Sequence, residues 1–245
     1  MPIGPVGERH MPIGAVGERA GIITLMRPSS IRARMFAAGY DLVLGQAERA
    51  GLAARRRTLL SGASGATLEI GAGTGLNLAH YPPAVTKLTL IEPDEHMARK
   101  LRNRCSTATN VEDIVVAPGE DLPFPHDAFD TAVVTLVLCT APDPAGVLAE
   151  IARVLKPNGR LLFMEHIRSD SPSRATWQDR LNPLWQMTLG NGCNCNRSTL
   201  GTIEASPLTI EHVEHGEIPK TMPILRPLVS GRARSSPAQG DHRLQ

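Results

Sequence analysis

Aromatic residues are scarce in this chain. Two Trp, two Tyr and four Phe make 3% of its 245 residues, so a core must be filled by Leu, Val, Ile and Ala. An excess of one charge sign is missing too: 26 Lys and Arg stand against 24 Asp and Glu, a formal net charge of +2. That balance offers no electrostatic footprint for nucleic acid, and none is expected as a partner. Cysteine is sparse, at four residues: Cys105, Cys139, Cys193 and Cys195. Four are too few for a disulfide scaffold, and their spacing matches neither C-x-x-C nor a zinc-finger pattern. Free thiols in a reducing cytoplasm are the expectation. No apolar run approaches the roughly 18 residues of a spanning helix, so no transmembrane segment is expected. The first residues also lack the basic-then-apolar layout of a signal peptide.

What is present fits one sizeable α/β domain, with 42% hydrophobic and 20% charged residues. The chain opens with "MPIGPVGERH" followed at once by "MPIGAVGERA". One ten-residue copy cannot build a solenoid, and its Gly and Pro content predicts a flexible leader over 1–28, with Met11 as an alternative start. A domain is expected over 29–234 and a disordered tail over 235–245. Oligomeric state is not legible.

Between those ends, strand patterns alternate with helical ones. Helix formers with an apolar stripe run from Ser30 to Leu60. Strands are predicted over 66–73, 87–93, 112–119, 130–138 and 160–166, and two more over 208–218 and 224–234. Helices are predicted from 75 to 81, over 94–105, and over 143–156, the last opened by Asp143 at its N-cap and Pro144 at N1. Another helical stretch, 174–189, is expected to break or kink near Pro183. This order predicts a doubly wound α/β sheet.

The most informative stretch is "LEIGAGTGLN" (68–77), which reads Glu69-x-Gly71-x-Gly73-x-Gly75. Glycines there let the chain turn sharply off a strand and bring backbone N–H groups close to a ligand. Glu92, 21 residues past Gly71, ends the second strand, where an acid can accept from ribose hydroxyls. A dinucleotide fingerprint would place glycine at 76, which is Leu76.

With "GEDLPFPHDAFDTAVVTLVLC" (119–139) and "IARVLKPNGRLLFMEH" (151–166), this motif resembles the class I S-adenosylmethionine-dependent methyltransferases, in their ubiquinone-biosynthesis-like branch. Asn158 replaces the first glycine of that branch's turn, a position asparagine tolerates because it accepts left-handed backbone. "GTGLNLAHYP", "TLVLC", "MEH" and "GCNCNR" are similar to a subgroup that includes thiol methyltransferases. The resemblance implies a Rossmann-like, mostly parallel seven-stranded sheet with N-terminal helices and an antiparallel last strand. It implies S-adenosylmethionine as cofactor and a small-molecule methyl acceptor: a thiol, a phenol or quinone carbon, or an amine.

It also implies roles. Gly71, Ala72, Gly73, Thr74, Gly75 and Asn77 would form the loop under the methionine part of the cofactor, supported by Glu69. Glu92 would hold the ribose, with Pro93 and Met97 flanking the adenine and Gly119, Glu120, Asp121 and Leu122 at its edge. Thr135 and Leu136 would face the sulfonium, and Tyr40 with Asp41 would help close the site.

In-line displacement at a sulfonium needs alignment and exclusion of water, with no metal required. If a base is used, the candidates are Glu165 and His166 at the end of the fifth strand; loop bracing is the competing reading. Glu120 and Asp121 diverge on an extended segment, so no metal pair is expected there. In "LGNGCNCNRST" (189–199), a zinc knuckle would need two further ligands, and His212 and His215 would point to opposite faces of a strand. The subgroup pattern instead matches Gly192, Cys193, Asn194 and Arg197, so Cys193 and Arg197 are expected on the substrate side and Cys195 is incidental. Cys139 reads as a buried small hydrophobe. Trp177 and Trp185 are expected to pack in the core, or to lid the acceptor pocket. An NAD(P)-dependent oxidoreductase and a non-catalytic S-adenosylmethionine-binding protein stay open at this point.

Overall fold

The computed structural model describes residues 44–105, 111–187 and 192–236. The expected leader, Tyr40 and Asp41 and nearly all of the expected tail lie outside them. Seven strands form one sheet: β1 (Gly65–Ile70), β2 (Val85–Ile91), β3 (Val111–Val115), β4 (Phe129–Thr135), β5 (Leu155–His166), β6 (Thr209–Glu217) and β7 (Pro227–Arg234). Their order is β3-β2-β1-β4-β5-β7-β6. β1 pairs in parallel with β2 and β4, and β2–β3 and β4–β5 are parallel too. β7 runs antiparallel to both β5 and β6, as expected of the last strand.

Strand alternation sorts the core into two layers. Leu68, Ile70, Ala132, Val134, Leu161 and Phe163 face one side, where they meet α3 (Pro144–Val154) and α5 (Thr199–Glu204) through Val147, Leu148, Ile151 and Ile203. Val133, Leu162, Leu88 and Leu90 face the other, against Leu60 of α1 (Ala53–Leu60) and Leu101 of α2 (Glu95–Cys105). Asp143 caps α3 by accepting the Gly146 N–H at 3.0 Å, with Pro144 in the first turn. Before α1 the chain takes a π-helical turn, Glu48–Leu52, bent at Gly51 with φ 133°.

Four local expectations change. After β1 the chain forms only a 3-10 turn, Leu78–His80, because Pro82 and Pro83 leave no room for helix. β5 starts earlier than expected and passes through Asn158 at φ 63°, the left-handed conformation asparagine tolerates. α5 was not anticipated. Pro183 lies inside a single helix, α4 (Pro172–Met187), so the helix does not break there. At the far end, the Ser235 N–H donates to Gly159 O at 2.9 Å, tying the residue after β7 to the turn within β5.

The winding reverses between β1 and β4: from β1 the sheet grows outward to β2 and β3 on one side and to β4 and β5 on the other. Loops leaving the carboxyl ends of those two strands diverge and open a crevice, the place where open α/β sheets bind ligands.

Candidate active site

The crevice is built first by the glycine loop. Past Ile70 the chain turns through Gly71, Gly73 and Gly75 at φ 66°, 59° and 86°, a region other residues avoid. A Cβ at Gly71 would lie 2.5 Å from Val137 Cγ2, and one at Gly75 2.7 Å from Leu78 Cδ1. Gly73 differs, since the nearest atom to a Cβ there is 4.0 Å away. Its face is open to a shallow cleft bounded by the loop, Arg56, Glu69, Asn77 and Thr135.

A buried polar network stiffens the wall behind the loop. Arg56 donates through Nη1 to Asn77 Oδ1 (2.8 Å) and Thr135 Oγ1 (3.1 Å), and through Nε to Glu48 Oε1 (3.0 Å). Asn77 Nδ2 donates to Glu69 Oε1 (2.9 Å) and Thr135 Oγ1 (3.0 Å), and Tyr81 Oη to Glu69 Oε2 (2.7 Å). Arg56 and Tyr81 were not singled out from the sequence. The only trace of Arg56 is "RRR" (55–57) on a helix, where successive residues point to different faces and one of three can turn inward.

Burial pushes the Glu69 carboxyl up to about 7 from 4.5, although Tyr81, Asn77 and the Arg56 charge pull it down. The folded chain therefore holds an additional proton between those values, and this group's share of stability is lost as pH rises from about 4.5 through about 7. Glu69→Gln is expected to flatten that part of the decline, read by denaturant titration at about pH 5 and pH 8. An unchanged decline would mean that Glu69 ionises in the folded chain as it does in the unfolded one.

Glu92 ends β2 directly beside the loop. Its Oε2 accepts the Gly73 N–H (2.7 Å) and its Oε1 the Asp94 N–H (2.9 Å), and burial raises its pKa. Asp94 in turn caps α2 through the N–H groups of His96 and Met97. Met97 is half-buried and Pro93 exposed on that turn. Past β3, Gly119 is buried against Ile70 and Val147, and Leu122 is buried too. Glu120 Oε1 accepts the Asp143 N–H at 3.3 Å, at the start of α3, while Asp121 faces solvent. These positions surround the carboxyl ends of β1, β2 and β3; the polar wall above was formed by β1 and β4.

At the ends of β4 and β5 a second constellation appears. Thr135 joins the Arg56 network, and Leu136 takes φ 59°, a strained value for leucine. Glu165 is fully buried and its oxygens accept the N–H of Val137 (2.9 Å) and Cys139 (3.4 Å). It braces the loop after β4. His166 Nε2 lies 3.2 Å from Ile224 O, while its Nδ1 is buried without a hydrogen-bond partner of normal geometry. His166, Cys139 and Cys193 bring their ligand atoms within 4.8 Å of one another. A thiol contact from Cys139, then the His166 ring and the Trp185 indole, draw the Cys193 thiol down to about 5 against the effect of burial.

One expectation changes: Trp177 is 55% exposed and does not pack in the core, with the Arg180 guanidinium 5.8 Å from its ring centroid. Arg197 gives its Nη1 to the carbonyls of Leu138 (2.5 Å) and Ala141 (2.7 Å) and so fastens the loop after β4. Cys139 is buried as expected and is also one of the three clustered groups. Cys195 is fully buried, its N–H given to Asn182 Oδ1 at 2.8 Å. His212 and His215 stay on β6 beside Glu214 and Asp170, away from any cysteine partner of the described cluster.

Residues 68–163 match the family model of a methyltransferase domain. Over 181 residues the chain is 38% identical to thiol S-methyltransferase TMT1B of Homo sapiens, an alignment covering 71% of this chain and 73% of that one. The chain belongs to the S-adenosylmethionine-dependent methyltransferases. It is also 33% identical over 194 residues to thiol S-methyltransferase TMT1A of Homo sapiens, covering 74% of this chain and 79% of that one. In fold it is similar to geranyl diphosphate C-methyltransferase from Streptomyces coelicolor A3(2), solved with Mg2+, geranyl-S-thiolodiphosphate and S-adenosyl-L-homocysteine. The TM-score is 0.58 at 17% identity, over 74% of this chain and 75% of that one.

This methyltransferase transfers the methyl group of S-adenosylmethionine to a small-molecule acceptor. The cofactor supplies that group activated on a sulfonium. The site fits it in two respects: the Gly73 backbone faces open space, and a buried carboxylate, Glu92, stands at the loop's edge where hydroxyls can donate to it. Among the described residues no helix is long and apolar enough to cross a membrane.

Proposed function

We propose that this methyltransferase acts on thiols. The observation that carries the reading is its identity of 38% and 33% to two thiol S-methyltransferases over most of both chains. A cluster of polarisable groups, Cys139, Cys193 and His166, at the ends of β4 and β5 supports it. A thiol must lose its proton to become a good nucleophile. Glu165 is a poor candidate for that task, because its oxygens are committed to backbone N–H groups. The clustered cysteines and histidine are better placed.

The cofactor roles follow the same reading. The Gly71–Gly75 backbone, with Ala72, Thr74 and Asn77, passes beneath the methionine part, and Glu69 and Arg56 keep that wall rigid. Glu92 takes the ribose hydroxyls; Pro93 and Met97 flank the adenine, and Gly119–Leu122 meets its edge. Thr135 and Leu136 stand between cofactor and acceptor. The four free cysteines accord with a reducing compartment, which supports a cytoplasmic location.

Glu92→Ala is expected to weaken S-adenosylhomocysteine binding by about 1–3 kcal/mol, since hydroxyls and the Gly73 N–H lose their acceptor. Calorimetric titration reads this directly, and unchanged affinity would remove Glu92 from the ribose site. The acceptor class is tested by incubating the full chain with S-adenosylmethionine and matched thiols, phenols and amines. S-methylated products are expected. Turnover confined to amines or phenols would overturn the thiol reading.

A further inference from the structure

Cys139, Cys193 and His166 come from three separate segments, yet their ligand atoms lie within 4.8 Å of one another. Cys139 and His166 are each only 3% exposed, and Cys193 is half-buried. In a tetrahedral zinc site, thiolate and imidazole ligands stand about 3.5–3.8 Å apart, given metal–ligand bonds of roughly 2.0–2.3 Å. Small side-chain rotations would close the difference.

The histidine is the second, independent observation. A ligating imidazole characteristically gives its other N–H to a backbone carbonyl, which fixes the tautomer and aims the free lone pair. His166 has that arrangement: Nε2 is 3.2 Å from Ile224 O, and Nδ1 is buried with no hydrogen-bond partner of normal geometry, its ring beside the Cys193 thiol. A buried polar atom left unpaired costs stability unless something is bound there.

The cysteines are held by backbone. Asn194 N–H donates to Cys139 O (2.9 Å), Arg197 bridges the carbonyls of Leu138 and Ala141, and Glu165 accepts the Cys139 N–H. These bonds clamp the loop after β4 to the loop carrying Cys193. Two thiolates and an imidazole are a donor set that selects a soft or borderline cation, and zinc first among them.

We propose that Cys139 Sγ, Cys193 Sγ and His166 Nδ1 hold one zinc ion in a three-ligand site whose fourth position is open to the acceptor thiol. The acceptor half rests on the thiol reading above; the metal half does not. As the acceptor sulfur bonds to the metal its proton passes to solvent, and no electrons are exchanged, because zinc has no redox chemistry here. The site is next to the cofactor loop, since Val137, two residues before Cys139, is the side chain packed against Gly71.

The test is metal content and spectroscopy on the full chain, produced with zinc and dialysed without strong chelators. One zinc per chain is expected in the parent, with at least a tenfold loss in Cys193→Ser and in Cys139→Ser. S-adenosylhomocysteine binding, measured by calorimetry, should persist in both variants and so report an intact fold. Cobalt exchanged into the parent should show thiolate-to-metal charge transfer that shifts when a simple thiol such as 2-mercaptoethanol is added. A metal-free parent overturns the inference, as does zinc retained equally by both variants, or a Cys139–Cys193 disulfide in the purified chain. Thiol methylation by a metal-free chain would overturn the acceptor's place on the metal while leaving the thiol reading intact. A cobalt spectrum unmoved by thiols overturns the open fourth position.

Discussion

Replacing Arg56 by methionine is expected to destabilise the protein by about 2–4 kcal/mol, the range for removing one member of a buried hydrogen-bonded charge network. Methionine keeps an apolar stem of similar reach, so packing changes little. What is lost is polar: Asn77 Oδ1 loses its donor, Thr135 Oγ1 loses one of two, and Glu48 loses its ion-pair partner. Because Asn77 also holds Glu69, the loss passes to the wall of the cofactor cleft. Denaturant unfolding reads the first effect, and weaker S-adenosylhomocysteine binding by calorimetry the second. An unchanged unfolding midpoint would mean that solvent replaces Arg56 without penalty, and that the network is not a structural unit.

Gly71→Ala is the other large expectation. An alanine at φ 66° costs about 1–2 kcal/mol from backbone alone. Its Cβ would also sit 2.5 Å from Val137 Cγ2, and such overpacking costs typically about 1–3 kcal/mol more. The strain cannot be shed outward, because Val137 is anchored through its N–H to Glu165. The loop must then move into the cleft, and S-adenosylhomocysteine affinity should fall by two orders of magnitude or so, as a loss of about 3 kcal/mol implies. Gly73→Ala makes the internal contrast, since a Cβ there meets only the Gly71 carbonyl at 4.0 Å. Its effect on the unliganded fold should come from backbone conformation alone. Equal stability losses in both variants would refute the packing account of Gly71.

Most of the sheet was legible in the sequence because each strand carries its own signal. Alternation along 130–135 places Val133 opposite Ala132 and Val134, and the two core layers follow that period. The cap of α3 was legible for the same reason: Asp143 and Pro144 act within one turn. The 3-10 turn at Leu78–His80 reads as a helix ended by Pro82 and Pro83, because a seven-residue segment is too short for its pattern to separate one 3-10 turn from an α-helix. The six-residue α5 offers too few turns for a periodic pattern.

Site residues divide in the same way. The glycine loop and Glu92 stand at fixed sequence distances from strand ends, so spacing alone exposes them. Arg56 does not, because its partners Asn77 and Thr135 lie 21 and 79 residues away. Cys193 was weighed against Cys195 and the histidines downstream, the local neighbours a motif search can see. Its structural neighbours are Cys139 and His166, which the sheet alone brings to one end. Arg197 is legible as a position, while its Nη1 bonds to two carbonyls of the loop after β4 are visible only in the structure.

The central claim, that the crevice at the ends of β1 and β4 is an S-adenosylmethionine site, is tested most directly by calorimetric titration of the full chain with S-adenosylhomocysteine and, separately, with NADH. The account predicts saturable one-to-one binding of S-adenosylhomocysteine, weakened by Glu92→Ala, and no binding of NADH. Saturable NADH binding with no response to S-adenosylhomocysteine would contradict it.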